Sequence, residues 1–203
     1  MYAIVEDNNI TQYINNPKSV VIGDVRYPAK IFQLWSQAEL NAIGIYEVIT
    51  DSTNYKDPSY YINTNEQYNF ADGQVTKSWG TATAKRLNDE NAVDEDGNNL
   101  LDDDGNQVIN YGLKTEKKRI VKQQASGLLE KTDWHNHKAL DDDTYTIPDN
   151  VKTYRANVRS KSNEMETQID ACTNVDELKA LYEYTTQEDG TQTRPLAEFP
   201  KEI

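Results

Sequence analysis

Cysteine is nearly absent from this chain of 203 residues, which contains Cys172 and no other. A single thiol forms no internal disulfide and builds no cysteine-based zinc site, so the composition fits synthesis in a reducing cytoplasm. Long apolar runs are also missing, and none approaches the ~18 residues needed to cross a bilayer. The N-terminal residues lack the basic start of a secretory signal. We therefore expect a soluble protein without membrane insertion.

Positive charge is scarce as well. The 21 Lys and Arg residues stand against 34 Asp and Glu, for a formal net charge of −13, which repels nucleic acid unless the basic groups are segregated. The basic residues that do cluster are Lys114, Lys117, Lys118, Arg119 and Lys122. No aromatic residue is interleaved with them, as nucleic-acid binding would favour. We interpret them as a solvated face that partly neutralises the acidic segment before it, and we expect no nucleic-acid partner.

The content of apolar residues is low too. Hydrophobic residues make up 36% of the chain, and its 9 glycines raise the share to roughly 40%, below the ~45–50% of typical domains. Tyrosine (13) greatly outnumbers phenylalanine (3), so much of the aromatic surface carries a hydroxyl that needs water or a partner. This composition predicts a thin or divided core, half-exposed strands and interfaces.

The first part of the chain has the pattern of a β-rich domain. Short apolar stretches predict strands at 2–5, 10–14, 20–22, 31–34, 45–49 and 60–62. One short helix is expected to begin at Ser36, which forms a capping box with Glu39, and to end at Gly44. Trp35 is expected to pack on Leu40 as a hydrophobic staple. A β-hairpin around Asp72-Gly73 completes a predicted domain of residues 1–87.

Residues 88–112 contain an eight-residue near-repeat, DEDGNNLL at 94–101 followed by DDDGNQVI at 102–109. Calcium is a candidate ligand for so many carboxylates, but an EF-hand loop needs Gly at position six, oxygen ligands around it and Glu at twelve. Placing Gly105 sixth puts Leu100 first, and placing Gly97 sixth puts Ala92 first, so both registers fail. We predict an acidic β-ribbon with two Asp-Gly turns and leave calcium binding open.

Helical spacing begins at Leu113 and predicts a helical module over residues 113–189. One helix is expected from Leu113 to Leu129. A second follows Pro148, either continuous or broken near 160–162, and a third begins at Asn174 with Glu177 three residues on. Residues 190–203, which contain one Gly and two Pro, are expected to be a tail. The predicted fold class is α+β, with a small β-rich N-terminal domain, an acidic β-ribbon and a helical C-terminal module.

The chemistry-bearing residues are few. His135 and His137, beside the carboxylates of 141–143, are suitable metal ligands and would face the same side of a strand. They are the only histidines and lie in a polar segment that we expect to be an exposed loop. No Gly-x-Ser-x-Gly elbow occurs, and Cys172 lies on an apolar helix face as a small core residue. We expect no enzyme, no cofactor and no metal; the alternative is a small metal-dependent hydrolase using the two histidines.

Aromatic residues also suggest carbohydrate binding, because their faces stack on sugars. Tyr60, Tyr61, Tyr68 and Trp79 are the candidates. Half-buried strand positions explain the same residues equally well. A glycan therefore stays a candidate partner.

One segment resembles a known family. Leu128-Leu129-Glu130-Lys131-Thr132-Asp133-Trp134, then Ile147-Pro148, then Tyr154-Arg155-Ala156-Asn157-Val158-Arg159 is similar to a module of bacteriophage tail assembly chaperones and tail-fibre assembly proteins. The resemblance covers about residues 120–165, and Trp35-Ser36-Gln37-Ala38-Glu39-Leu40 is similar to N-terminal segments of related tail proteins. His135, His137 and the acidic repeat depart from the pattern.

The resemblance implies a structural interaction component of a phage tail, baseplate or tail-fibre attachment, made in the host cytoplasm and located in the virion. Other tail or tail-fibre proteins would be its partners, in an oligomeric assembly; a transient tail-fibre assembly chaperone is the alternative. The interaction residues would be Asp133, Trp134, Tyr154, Arg155 and Arg159. Trp134 is expected to pack on the helix of Tyr154, with Arg155 and Arg159 meeting acidic partners such as Asp133.

Overall fold

Short strands fill the first part of the chain and long helices the last, in a computed structural model that describes residues 1–203. The predicted α+β class is confirmed. The chain divides into two compact units, residues 1–84 and residues 85–203, each with most of its contacts inside itself. The first nearly matches the β-rich domain expected at 1–87, and the second contains the acidic repeat, the helices and the tail together. None of the helices has the length and apolar character required to cross a membrane.

The first unit is built on a curled sheet. Its elements are β1 (Tyr2–Glu6), β2 (Asn9–Ile14), β3 (Val20–Ile22), β4 (Val25–Tyr27), α1 (Ile31–Leu34), α2 (Gln37–Ala42), β5 (Ile45–Thr50), β6 (Tyr61–Ile62), β7 (Gln67–Ala71), β8 (Gln74–Ser78) and β9 (Thr83–Ala84). Five strands form the main sheet in the order β2-β1-β5-β8-β7, antiparallel except for β5 and β8. The edge strands approach each other, and the rings of Tyr13 and Tyr68 lie 4.7 Å apart.

Each face of this sheet carries its own small core, because successive strand residues point to opposite sides. Ile4 packs in a cluster with Ile14 and Leu40, whereas Ala3 and Val5 pack with Val75 on the other face. The core is thus divided, as the composition predicts.

The expected helix start is confirmed. Ser36 and Glu39 form the reciprocal capping box, and Ser36 hydrogen bonds lower the pKa of the Glu39 carboxyl. Trp35, the residue before the cap, lies edge-on to Tyr27, which packs against the cluster that contains Leu40, and its expected packing on Leu40 stays a prediction. The strand expected at 31–34 is wrong. Those residues form α1, since the turn after Pro28 directs the chain into helix and only Ile31 is buried.

The second unit contains β10 (Glu90–Asn91), β11 (Ile109–Asn110), α3 (Leu113–Glu130), α4 (Asp133–Asp141), α5 (Asp149–Ala171), α6 (Val175–Ala180), β12 (Thr185–Thr186) and β13 (Gln192–Thr193). Helices α3 and α5 pack together around Ala125, Tyr154 and Val158. Helix α5 continues without a break through 160–162. Asn174 caps α6 by accepting from the Glu177 amide, as predicted.

The predicted tail is packed against this helix pair. Leu196 is 2% exposed, and its amide donates to the Leu181 carbonyl at 3.0 Å. Gln168 on α5 accepts from the Ala197 amide at 2.8 Å, and Phe199 packs on the cluster of α3 and α5. The glycine and prolines of this segment therefore mark a change in chain direction, and residues 196–199 still pack against the helices.

The acidic repeat forms a three-way junction. The amides of Ala92, Leu100 and Val108 donate in a closed ring to the carbonyls of Val108, Ala92 and Leu100, at 2.8, 2.9 and 2.9 Å. The Gln107 amide nitrogen donates to all three carbonyls at 2.8–3.1 Å. Two hairpin tips project from the junction, and Gly97 and Gly105 provide the positive φ of the predicted Asp-Gly turns.

The basic residues of α3 pair within the helical layer. Lys118 binds Asp170 at 2.7 Å and Lys122 binds Glu166 at 3.2 Å, both across to α5. Arg119 binds Glu116 one turn back on its own helix. The ion pairs of Lys118 and Lys122 are thus made with α5, which presents carboxylates at matching positions. Toward the acidic segment, hydrogen bonds from Gly112 and Thr115, with a smaller contribution from the charge of Lys118, lower the pKa of Asp89.

Candidate protein interaction site

Arg155 joins three helices at one corner. It lies on α5, is 8% exposed, and donates to the Leu129 carbonyl at 2.8 Å and to the Thr132 hydroxyl at 2.7 Å. Its other terminal nitrogen lies 2.8 Å from Asp133 Oδ1. The guanidinium thus occupies the carboxyl end of α3 and holds the carboxylate at the start of α4, where helix dipoles favour a cation and an anion respectively. The expected pairing of Arg155 with Asp133 is confirmed.

This corner places Trp134 on the surface. The sequence-based expectation that Trp134 packs on the helix of Tyr154 is wrong: its side chain is 54% exposed. The partners of Tyr154 are instead Leu128, Leu129 and Phe199. The tail supplies Phe199 to this part of the core.

Trp134 is held against other planar groups. Its ring stacks on His135 at a centroid distance of 3.7 Å, and His135 is hydrogen-bonded to the Tyr145 hydroxyl. The Lys138 ammonium lies 4.4 Å from the Tyr145 ring centroid. We call Trp134, His135, Tyr145 and Lys138 the aromatic shelf. A cleft of about 370 Å³ opens beside Trp134 and His135.

The other two predicted interaction residues differ from each other. Tyr154 is 5% exposed and its hydroxyl is buried without a hydrogen-bond partner, so it belongs to the core. Arg159 is exposed and donates to the Arg155 carbonyl at 3.4 Å, on its own helix. Neither contributes to the aromatic shelf.

The histidine pair does not converge. The segment expected to be an exposed loop is helix α4, and positions two apart on a helix lie about 200° apart around its axis. His135 contacts Trp134 and Tyr145, whereas His137 is exposed. Asp142 ends α4, and hydrogen bonds from Thr144 lower its pKa. No cluster of three or more His, Cys, Asp or Glu with the geometry of a metal site occurs in the chain.

The structure also places two other features of the sequence, the acidic repeat and Cys172. At one tip of the acidic repeat, the Asp94 carboxylate accepts hydrogen bonds from two backbone amides of its own loop. At the other tip, the Asp102 carboxylate accepts two in the same way. The buried Cys172 thiol donates to the Gln168 carbonyl, and burial raises its pKa, which suits a core residue.

The sequence did not predict Tyr145 and Lys138 as members of this site. No spacing pattern links Tyr145 to His135, and only the return of the chain after α4 brings Tyr145 against His135 and Lys138.

No known family, curated protein or solved structure matches this chain.

Proposed function

We propose that this chain is a structural interaction component of a bacteriophage tail, at the tail, baseplate or tail-fibre attachment, and that it acts through protein–protein contacts at Trp134. The exposed position of Trp134 carries the proposal. Tryptophans that anchor interfaces are large, rigid and surface-exposed before binding. Here the indole stacks on His135, and the residue before it, Asp133, is held by Arg155.

The pairing of charges around Trp134 allows a partner to cover this surface and exclude water from it. Asp133 is paired with Arg155, and Lys131 is paired with Glu202 at 2.6 Å. Covering Trp134 therefore leaves neither carboxylate without its cation, which lowers the cost of burying charge there. The Lys138 ammonium at the other side of the shelf lies against the Tyr145 ring. An apolar pocket on another tail or tail-fibre protein fits this surface, in particle assembly within the host cytoplasm and afterwards in the virion.

The test combines particle composition with one substitution. Mass spectrometry of intact purified particles, with chemical crosslinking, should find the chain at stoichiometric level and crosslink α4 to a tail or tail-fibre protein. Trp134→Ala should weaken that partner's binding more than about 30-fold, as loss of an interface anchor does. Trp35→Ala, a half-exposed tryptophan of the other unit, is the matched control and should leave binding unchanged.

Two other outcomes would each contradict the proposal in a different way. A chain that binds tail fibres but is missing from finished particles would be a transient assembly chaperone. A chain that co-isolates with no tail protein at any stage would refute the proposal.

A further inference from the structure

A row of aromatic side chains crosses the surface of the first unit. Tyr13 contacts Tyr68 at 4.7 Å, and Tyr55 contacts Trp79 at 4.7 Å. Between these pairs, the Lys77 ammonium lies 5.5 Å from the Tyr68 ring centroid and 4.8 Å from that of Trp79. Tyr13 and Tyr55 are 44% and 43% exposed, and the central pair is half-buried. We call these four rings with Lys77 the aromatic strip.

The strip presents no free positive charge. The Lys77 ammonium lies 2.9 Å from Glu66 Oε2, and the other carboxylate oxygen, Glu66 Oε1, accepts from the Tyr68 hydroxyl at 2.8 Å. Hydrogen bonding to Glu66 raises the pKa of Lys77, and the same pairing lowers the pKa of Glu66. Stacked nucleic-acid bases need a basic groove along their phosphates, which this strip does not provide. Its chemistry suits a neutral ligand.

A cleft lined by asparagine residues opens at one end of the strip, and the side-chain amide of one of them, Asn9, donates to the Asp7 carbonyl at 2.9 Å. The cleft, of about 280 Å³, lies beside Tyr13 and Tyr68, where the edge strands β2 and β7 approach each other, and Asn8, Asn9 and Asn69 line it. An asparagine amide both donates and accepts hydrogen bonds. Such groups match the hydroxyls of a sugar ring, while tyrosine faces cover its apolar C–H surface.

From this combination we infer that the aromatic strip and its asparagine cleft bind a neutral oligosaccharide. The inference concerns the first unit and does not depend on the role of Trp134. It also revises the residues expected from the sequence: Tyr68 and Trp79 belong to the strip, whereas Tyr60 and Tyr61 are 5% and 4% exposed and offer no ring face to a ligand. Aromatic grooves also receive proline-rich peptides, but the polar asparagine cleft at one end favours a hydroxyl-rich ligand.

The experiment measures binding of the full chain to a panel of neutral oligosaccharides, comprising gluco-, manno-, galacto- and N-acetylglucosamine hexamers at up to millimolar concentration, by calorimetry. At least one hexamer should bind. Tyr13→Ala and Tyr55→Ala should each weaken it about two- to tenfold, the value of one lost aromatic contact, and the double variant more. Tyr111→Ala replaces a 62% exposed tyrosine of the other unit and should have no effect.

Circular dichroism confirms that each variant is folded. Binding of no hexamer overturns the inference, and so does binding that the Tyr13 and Tyr55 substitutions leave unchanged. A decaproline peptide is included in the panel. If it binds through the strip while every sugar fails, the ligand class is peptide and the inference is overturned in favour of that class.

Discussion

The Arg155 guanidinium lies 2.8 Å from Asp133 Oδ1 while it also donates to the last turn of α3. Arg155→Met should lower the free energy of unfolding by about 2–3 kcal/mol, because it removes the cation paired with Asp133 and the side-chain donor to the Thr132 hydroxyl. The Leu129 carbonyl loses one donor but still accepts from the Thr132 amide and hydroxyl. The half-exposed Asp133 can recover water, which keeps the loss below that of a fully buried pair. Urea denaturation followed by circular dichroism measures it.

The matched control for Arg155 is Arg159→Met. Arg159 is exposed one turn further along α5, and its loss should change stability by less than about 0.5 kcal/mol. Equal effects of the two substitutions would show that the corner contributes no special stability.

Trp134 should matter little for folding. Trp134→Ala should lower stability by at most about 1 kcal/mol, since the indole is half exposed and loses mainly its stack on His135. Ile169→Ala, at a fully buried position of α5, should cost about 2–5 kcal/mol. Thermal and urea unfolding of the two variants make the comparison, and a large loss for Trp134→Ala would mean that the residue is structural.

Two glycines should respond in opposite directions. Gly44 has φ of +83°, and a Cβ there would lie 2.7 Å from the Val5 carbonyl oxygen, so Gly44→Ala should destabilise by more than about 1 kcal/mol. Gly127 lies within α3 with open space around it, so Gly127→Ala should stabilise by about 0.5–1 kcal/mol. Melting temperatures measure both, and destabilisation by Gly127→Ala would contradict the helix geometry.

The tips of the acidic repeat should loosen in acid. The backbone amide of Asn98 lowers the pKa of the Asp94 carboxyl from its ordinary value, and that of Asn106 does the same for Asp102. A carboxyl with a lowered pKa stabilises the fold above its ordinary value, and this stabilisation is lost as pH falls through the lower value of the folded state. Amide chemical shifts of residues 94–98 and 102–106, followed from pH 6 to about 2, should report the loss.

Neutral side chains should remove this dependence. Asp94→Asn and Asp102→Asn should flatten the pH response of their own tips. Asp103→Asn, at an exposed position beside Asp102, should not. If the pH response of the tips persists in both the Asp94→Asn and the Asp102→Asn variants, other groups cause it.

Gln107 should hold the three-way junction together. Gln107→Met keeps the length of the side chain but removes the donor shared by the carbonyls of Ala92, Leu100 and Val108. The amides of those three residues should then exchange with deuterium faster, while amides in α5 keep their rates. Unchanged exchange at the junction would mean that the ring of backbone bonds suffices.

Local features were determined by the sequence alone. The Ser36 and Glu39 capping box, the Asp72-Gly73 hairpin and the Asn174 cap were all predicted and are all present. Each depends on groups within a few residues of one another, so the local chain carries all the information. The pairing of Arg155 with Asp133 was also predicted, from the position of Arg155 on one face of its helix, although Asp133 lies 22 residues away in sequence.

Competition between distant groups was decided only by the tertiary structure. The core place beside Tyr154 is filled by Phe199 and not by Trp134, and the lysines of α3 pair with α5 and not with the acidic repeat. Short apolar runs such as Ile31–Leu34 fit helix or strand equally until their neighbours are placed. The sequence determines which groups need burial or a counter-charge, and the packed chain decides which partner each one meets, because that choice depends on contacts between residues far apart in sequence.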